Sequence, residues 1–119
     1  MKLPHLEPLI FAKKVVQRDE NSSIVFCEFK EIPTLTTFIE AAAQSSSSFV
    51  DQTKPMLGFL ATIKNIEQHQ KFDCLKYHVH LRIEAQIAEF QQFYFEVFNL
   101  SDTNKLYISG NFSVIIKEA

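Results

Sequence analysis

Apolar and polar residues alternate most cleanly between positions 77 and 87. There Tyr77, Val79, Leu81, Ile83, Ala85 and Ile87 interleave with His78, His80, Arg82, Glu84 and Gln86. A period of two marks a strand with one buried face. The alternation returns over Leu106–Lys117, where Leu106, Ile108, Gly110, Phe112, Val114 and Ile116 oppose Ser109, Asn111, Ser113 and Lys117. Phe93–Leu100 is apolar on both faces, which predicts a central strand covered on both sides. Ser101-Asp102-Thr103-Asn104 then reads as a hairpin turn. Met56–Ile66 predicts another strand, with Leu57, Phe59, Ala61 and Ile63 on one face, and Gln68–Lys71 is a polar connection. Nearer the start, Ile10–Gln17 and Ile24–Phe29 predict two strands joined by the turn Asp19-Glu20-Asn21-Ser22.

One segment follows a different period. Leu35, Phe38, Ile39, Ala42, Ala43, Phe49 and Val50 fall at helical offsets of three and four. Pro33 breaks the chain before them and Thr34 stands where an N-cap belongs. The predicted helix runs to about Val50, roughly four turns. Ala41-Ala42-Ala43 and the serines at 45–48 keep it thin, so neighbours can approach closely from several sides.

Six strands and one helix, joined mostly by tight turns, predict an α+β fold with a mainly antiparallel sheet. The 119 residues fit one domain, 1–119, and 46% of them are hydrophobic, enough for a sizeable core. Two glycines and four prolines argue against a disordered or loop-dominated chain. The net charge of -2 comes with no basic block, which argues against nucleic acid as a partner. Apolar runs are too short to span a bilayer and no secretory pattern is visible, so a cytoplasmic protein is expected. Cys27 and Cys74 share no CxxC spacing and are expected to be reduced, buried or half-buried thiols. An antiparallel sheet of this kind leaves open edges, for which a symmetric homodimer is the commonest solution; higher oligomers remain open.

Three stretches carry a resemblance to a known family. Leu3-Pro4-His5-Leu6-Glu7-Pro8 looks like an opening Leu-Pro-His-x-x-Pro. Glu40-Ala41-Ala42-Ala43-Gln44 looks like a Glu-Ala-x-Ala-Gln helix signature, and Gly58-Phe59-Leu60 like a Gly-Phe-Leu strand after that helix. In this order they resemble the hotdog superfamily, and within it the 3-hydroxyacyl-acyl-carrier-protein dehydratases, including the dehydratase-like proteins of aryl-polyene pathways. The resemblance implies a six-stranded sheet wrapped around one long central helix. It also implies an acyl-thioester ligand, carried by acyl carrier protein or coenzyme A, and no cofactor.

The family's chemistry uses a histidine that removes a proton beside the thioester, a carboxylate on the helix of the other subunit, and a backbone N–H at the helix start. Glu40 matches the carboxylate. Leu35, five residues earlier, stands where the N–H donor belongs, at a position where the family has glycine. The histidine is missing: Val25-Phe26-Cys27-Glu28-Phe29-Lys30-Glu31-Ile32-Pro33 occupies that region. Thr36, Glu40 and Gln44 lie four residues apart and line one helix face, so Thr36 and Gln44, with Gly58 and Phe59, are the substrate-binding candidates. Three functions stay open: a dehydratase-like enzyme, an acyl thioesterase working with a single helix carboxylate, and a non-catalytic acyl-binding or regulatory protein. Cys27 and Glu28 sit where the missing base would be and either replace it or are structural, and Glu28 or Glu31 paired with Glu40 across the dimer interface could activate water. His78 and His80 share one strand face but lack a third ligand, so no metal site is expected. His5 is expected to be structural and His69 solvated.

Overall fold

The computed structural model describes residues 11–46 and 56–118. Its elements are β1 (Ala12–Arg18), β2 (Ser22–Glu28), α1 (Leu35–Ser45), β3 (Met56–Gln68), β4 (Lys76–Ile87), β5 (Phe90–Asn99) and β6 (Leu106–Glu118). The six strands form one sheet in the order β1-β2-β4-β5-β6-β3, and every neighbouring pair is antiparallel. The predicted element order is therefore found. The predicted helix beyond Ser46 and the entry motif at Leu3–Ile10 lie outside the described residues.

Local chemistry explains where the elements begin and end. In the β1–β2 turn, Asp19 accepts backbone N–H bonds from Asn21 (2.9 Å) and Ser22 (2.8 Å) and the Ser22 hydroxyl (2.7 Å). These bonds, the Ser22 hydroxyl first, favour the ionised carboxylate and hold its pKa below the ordinary value. Thr34 caps α1 through a reciprocal box. Its hydroxyl accepts from the Thr37 N–H (3.3 Å), and the Thr37 hydroxyl accepts from the Thr34 N–H (2.9 Å).

The helix packs on the face of the sheet that carries the core. Phe38, Ala41, Ala42 and Ser45 are buried, at offsets of three and four. Under them lie Val25, Cys27, Tyr77, Val79 and Leu81, the alternate positions of β2 and β4. Phe38 sits in an aromatic cage, with ring centroids 5.1 Å from Phe29, 4.5 Å from Phe72 and 4.7 Å from Tyr77, all edge-on. The core continues along β5 and β6 through Phe93, Phe95, Val97, Ile108, Phe112 and Val114.

Two expectations need correction. Ala61 and Ile63 were expected on one face of β3. A bulge between Leu60 and Thr62 shifts the phase, so that Leu60 and Ile63 instead oppose the buried Val114 and Phe112. Such a bulge adds a residue without altering composition, so the period-two reading ran straight through it. The second concerns β5, expected to be covered on both sides. It is central, and Phe93, Phe95 and Val97 are buried, but Tyr94, Glu96 and Phe98 on the other face are only half-buried. Side chains of the same sheet shield them in part: Arg82 lies over Tyr94 and His80 against Phe98.

A second β3 bulge, between Lys64 and Glu67, contains Asn65 at φ 56°, a left-handed conformation that asparagine tolerates. The bulge brings Ile66 over Gly110 of β6. A Cβ at Gly110 would run into Ile66 Cδ1 and stand 3.2 Å from Ile66 Cα and 3.3 Å from Phe95 Cε1. The Ile66 methyl can swing away, but its backbone and the fully buried Phe95 cannot. Gly110→Ala is therefore expected to destabilise the protein by about 1–3 kcal/mol, as overpacking does. Urea unfolding measures this, and an unchanged midpoint would mean that β3 shifts freely over β6.

Candidate functional site

Glu40 projects from the middle of α1, two residues after the caged Phe38 and just before the buried Ala41 and Ala42. Those neighbours fix the helix rotation, and within one chain Glu40 and Thr36 are left exposed. At the helix start the Thr34 box satisfies the Thr37 N–H, and the Phe38 N–H bonds to the Thr34 carbonyl at 3.1 Å. The Leu35 and Thr36 N–H groups precede the first intrahelical bond, and neither has a partner among the described residues. Leu35 itself is 38% exposed. The helix thus offers a carboxylate and a pair of N–H donors on accessible surface.

Gln44 has a different place. Its Oε1 accepts N–H bonds from Phe11 (2.7 Å) and Ala12 (3.2 Å), so it ties the end of α1 to the start of β1. It shares the helix face predicted for it, but its amide oxygen is engaged by backbone. Gly58 and Phe59 are paired with Ile116 and Ile115 in the β3–β6 ladder. Their side-chain surroundings lie outside the described residues.

The groups proposed to replace the missing histidine separate clearly. Cys27 is fully buried, with Sγ 3.5 Å from the Ser45 hydroxyl. Burial pushes its thiol pKa up to about 11, with the Ser45 contact and the Lys13 charge opposing weakly. A thiol of this kind stays protonated near neutral pH and is neither base nor nucleophile. Glu28 alternates with the buried Cys27, so it lies on the sheet face turned away from α1 and cannot meet Glu40 within one chain. Glu31 is exposed in the loop before Thr34.

The described histidines also lie away from the helix. His78 and His80 alternate with the buried Tyr77, Val79 and Leu81, which places them on the outer face. Burial, followed by the neighbouring His78, lowers the pKa of His80. The Nε2 of His69 lies 2.8 Å from the hydroxyl of Ser109, which alternates with the core residues Ile108 and Gly110. His5 lies outside the described residues. Among the described residues no three His, Cys, Asp or Glu side chains are grouped to hold a metal, and no helix is long and apolar enough to cross a membrane.

Solved structures share this fold. A dehydratase heterocomplex, ApeI:P, from Xenorhabdus doucetiae is similar over 98% of this chain and 88% of its own, at a TM-score of 0.70 and 14% identity. A hypothetical thioesterase with coenzyme A from Streptococcus pneumoniae matches over 88% and 85%, at 0.68 and 8% identity. A Streptococcus mutans protein bound to acetyl CoA matches over 87% of both chains, at 0.67 and 12% identity. The chain has the hotdog fold. No family model and no curated protein matches its sequence. In this fold α1 packs with Phe38, Ala41, Ala42 and Ser45 on the core face of the sheet and leaves Thr36 and Glu40 outward.

Sequence reasoning missed a polar cleft on the outer face, lined in part by Gln17, His80, Arg82, Tyr94 and Glu96. The polar half of the β4 alternation was its only visible signal.

Proposed function

We propose that this hotdog chain handles acyl thioesters and that its own chemistry is hydrolysis. The observation carrying this reading is an accessible helix carboxylate, Glu40, on a scaffold whose described histidines all lie away from the helix. Removing a proton beside a thioester and expelling a β-hydroxyl needs a base and an acid. Hydrolysis needs one carboxylate to take a proton from water. The water oxygen then bonds to the carbonyl carbon, and helix-start N–H groups, with Leu35 foremost, stabilise the oxyanion. Collapse breaks the carbon–sulfur bond, and the proton held by Glu40 passes to the departing thiolate. The products are a carboxylic acid and a free thiol.

A homodimer suits this reading. β1 and β3 are the two sheet edges. β1 carries Lys13, Lys14 and Arg18, charges that discourage strand pairing. β3 leaves Leu60 (44%) and Ile63 (45%) exposed. Pairing two copies along β3 covers both and extends the ladder. Thr36, Gly58 and Phe59 would then border the acyl chain, and Gln44 would hold the helix in place.

Coenzyme A and acyl-carrier-protein thioesters of short, medium and long chain are the test, followed by thiol release with a thiol-reactive dye. Release above the buffer rate is expected. Acyl binding without release from any of them would establish the non-catalytic reading instead. The dehydratase heterocomplex among the similar structures supports a second reading, dehydration with a different, histidine-bearing hotdog subunit. Loss of enoyl absorbance from a crotonyl thioester, seen only in such a mixture, would select it.

A further inference from the structure

The outer face of the sheet carries a cleft of about 220 Å³ spanning β1, β2, β4 and β5. Ligand pockets for drug-sized molecules begin at roughly 300 Å³. This one suits a small metabolite and is too small for an acyl-coenzyme A. Its lining includes the apolar Ile24, opposite His80 in the β2–β4 ladder, with Gln17, His80, Arg82, Tyr94 and Glu96.

The sheet register sets the charges. Arg82 faces Tyr94 and His80 faces Glu96 across the β4–β5 ladder, so Arg82 and Glu96 are diagonal neighbours. Diagonal positions lie roughly 7–8 Å apart. Among the described residues no ion pair joins them. The carboxylate contact of Arg82 is a loose 3.8 Å one to Glu84. Its guanidinium lies 4.9 Å from the centroid of the Tyr94 ring, which orients it. The Tyr94 hydroxyl donates to Glu96 Oε2 at 3.2 Å and steadies that carboxylate. Burial, then the Glu96 charge, raises the pKa of Tyr94 and keeps it a donor. His80 packs against Phe98 at 4.7 Å, and burial favours its uncharged form.

The cleft therefore presents one cation and one anion that do not neutralise each other, with the Tyr94 ring beside both and the apolar Ile24 in the lining. A phosphate on Arg82 would face the Glu96 carboxylate, and a simple amine on Glu96 would face Arg82. A ligand bearing both charges satisfies both sides. We propose that this outer-face cleft binds a small zwitterion of the α-amino-acid class, with its carboxylate on Arg82, its ammonium on Glu96 and an apolar side chain over Ile24. The site is on the opposite face from Glu40 and does not depend on thioester chemistry.

Titration of the full chain with L-leucine, L-methionine and L-phenylalanine, followed by backbone amide NMR, tests this. At least one is expected to move the signals of residues 24, 80, 82, 94 and 96 in a saturable way. Isocaproate, which lacks the ammonium, and isoamylamine, which lacks the carboxylate, are each expected to bind about tenfold more weakly than leucine. Arg82→Gln and Glu96→Gln are expected to weaken binding about tenfold each, at an unchanged melting temperature. The proposal is overturned if none of the three amino acids moves these signals at millimolar concentration. It is equally overturned if isocaproate or inorganic phosphate binds as tightly as the amino acids. The analogue series on the unaltered chain decides the matter even where a variant fails to fold.

Discussion

Replacing Glu40 by glutamine is expected to lower kcat for thioester hydrolysis at least about 100-fold, in line with the loss of a general base. Glutamine keeps the shape and hydrogen-bonding reach of the side chain but cannot take a proton from water. Because Glu40 is exposed on α1 and makes none of the helix's core contacts, the variant should melt with the parent chain. KM should change little, since in the proposed site Thr36, Gly58 and Phe59, not Glu40, border the acyl chain. Gln44→Ala provides the contrast. It strips the acceptor from the Phe11 and Ala12 N–H groups, so it should cost about 1–3 kcal/mol of stability. Its activity should fall only as far as folding does. Unaltered thiol release by Glu40→Gln would make the carboxylate an ordinary surface group, and the base would have to be sought among other residues.

The fold was legible because each of its main devices leaves a local mark. Tyr77, Val79 and Leu81 are buried while His78 and His80 are only half-buried, which is the period of two read directly as burial. Thr34 after Pro33 marked the helix start because a cap is a contact across three residues. The site was less legible because its decisive contacts are distant in sequence. Gln44 meets Phe11 and Ala12 more than thirty positions away, so its spacing from Glu40 could place it on a helix face but could not reveal what it holds. Cys27 stands where the missing base would be, but a buried thiol is the reading its sequence context favours, and it is the one found. Its burial under Ser45 of the helix removes that role, and burial there depends on how α1 crosses β2. The outer-face cleft rests on cross-strand register, in which Arg82 meets Tyr94 and His80 meets Glu96, and one bulge more or fewer would change those pairs.

Truncating Phe38 to alanine is expected to be the most damaging single change to stability, at about 3–5 kcal/mol. The ring is fully buried and meets Phe29, Phe72 and Tyr77 edge-on. Its removal forfeits both transferred apolar area and oriented aromatic contacts, each worth about 0.5–1.5 kcal/mol beyond burial. Those partners come from the loop after β2, the loop before β4 and β4 itself. The rings around the vacancy are also packed on one another, Tyr77 against Phe29 at 5.8 Å and against Tyr107 at 5.0 Å, so they have little freedom to collapse inward. Domains of this size hold only about 5–15 kcal/mol in total, so the variant should unfold at a much lower urea concentration with an unchanged slope. Phe38→Leu retains part of the volume and should lose less. If Phe38→Ala cost under about 1 kcal/mol, α1 could not be anchored on these rings. Glu40, two residues further along the same helix, would then lose the rigid support that a positioned base requires.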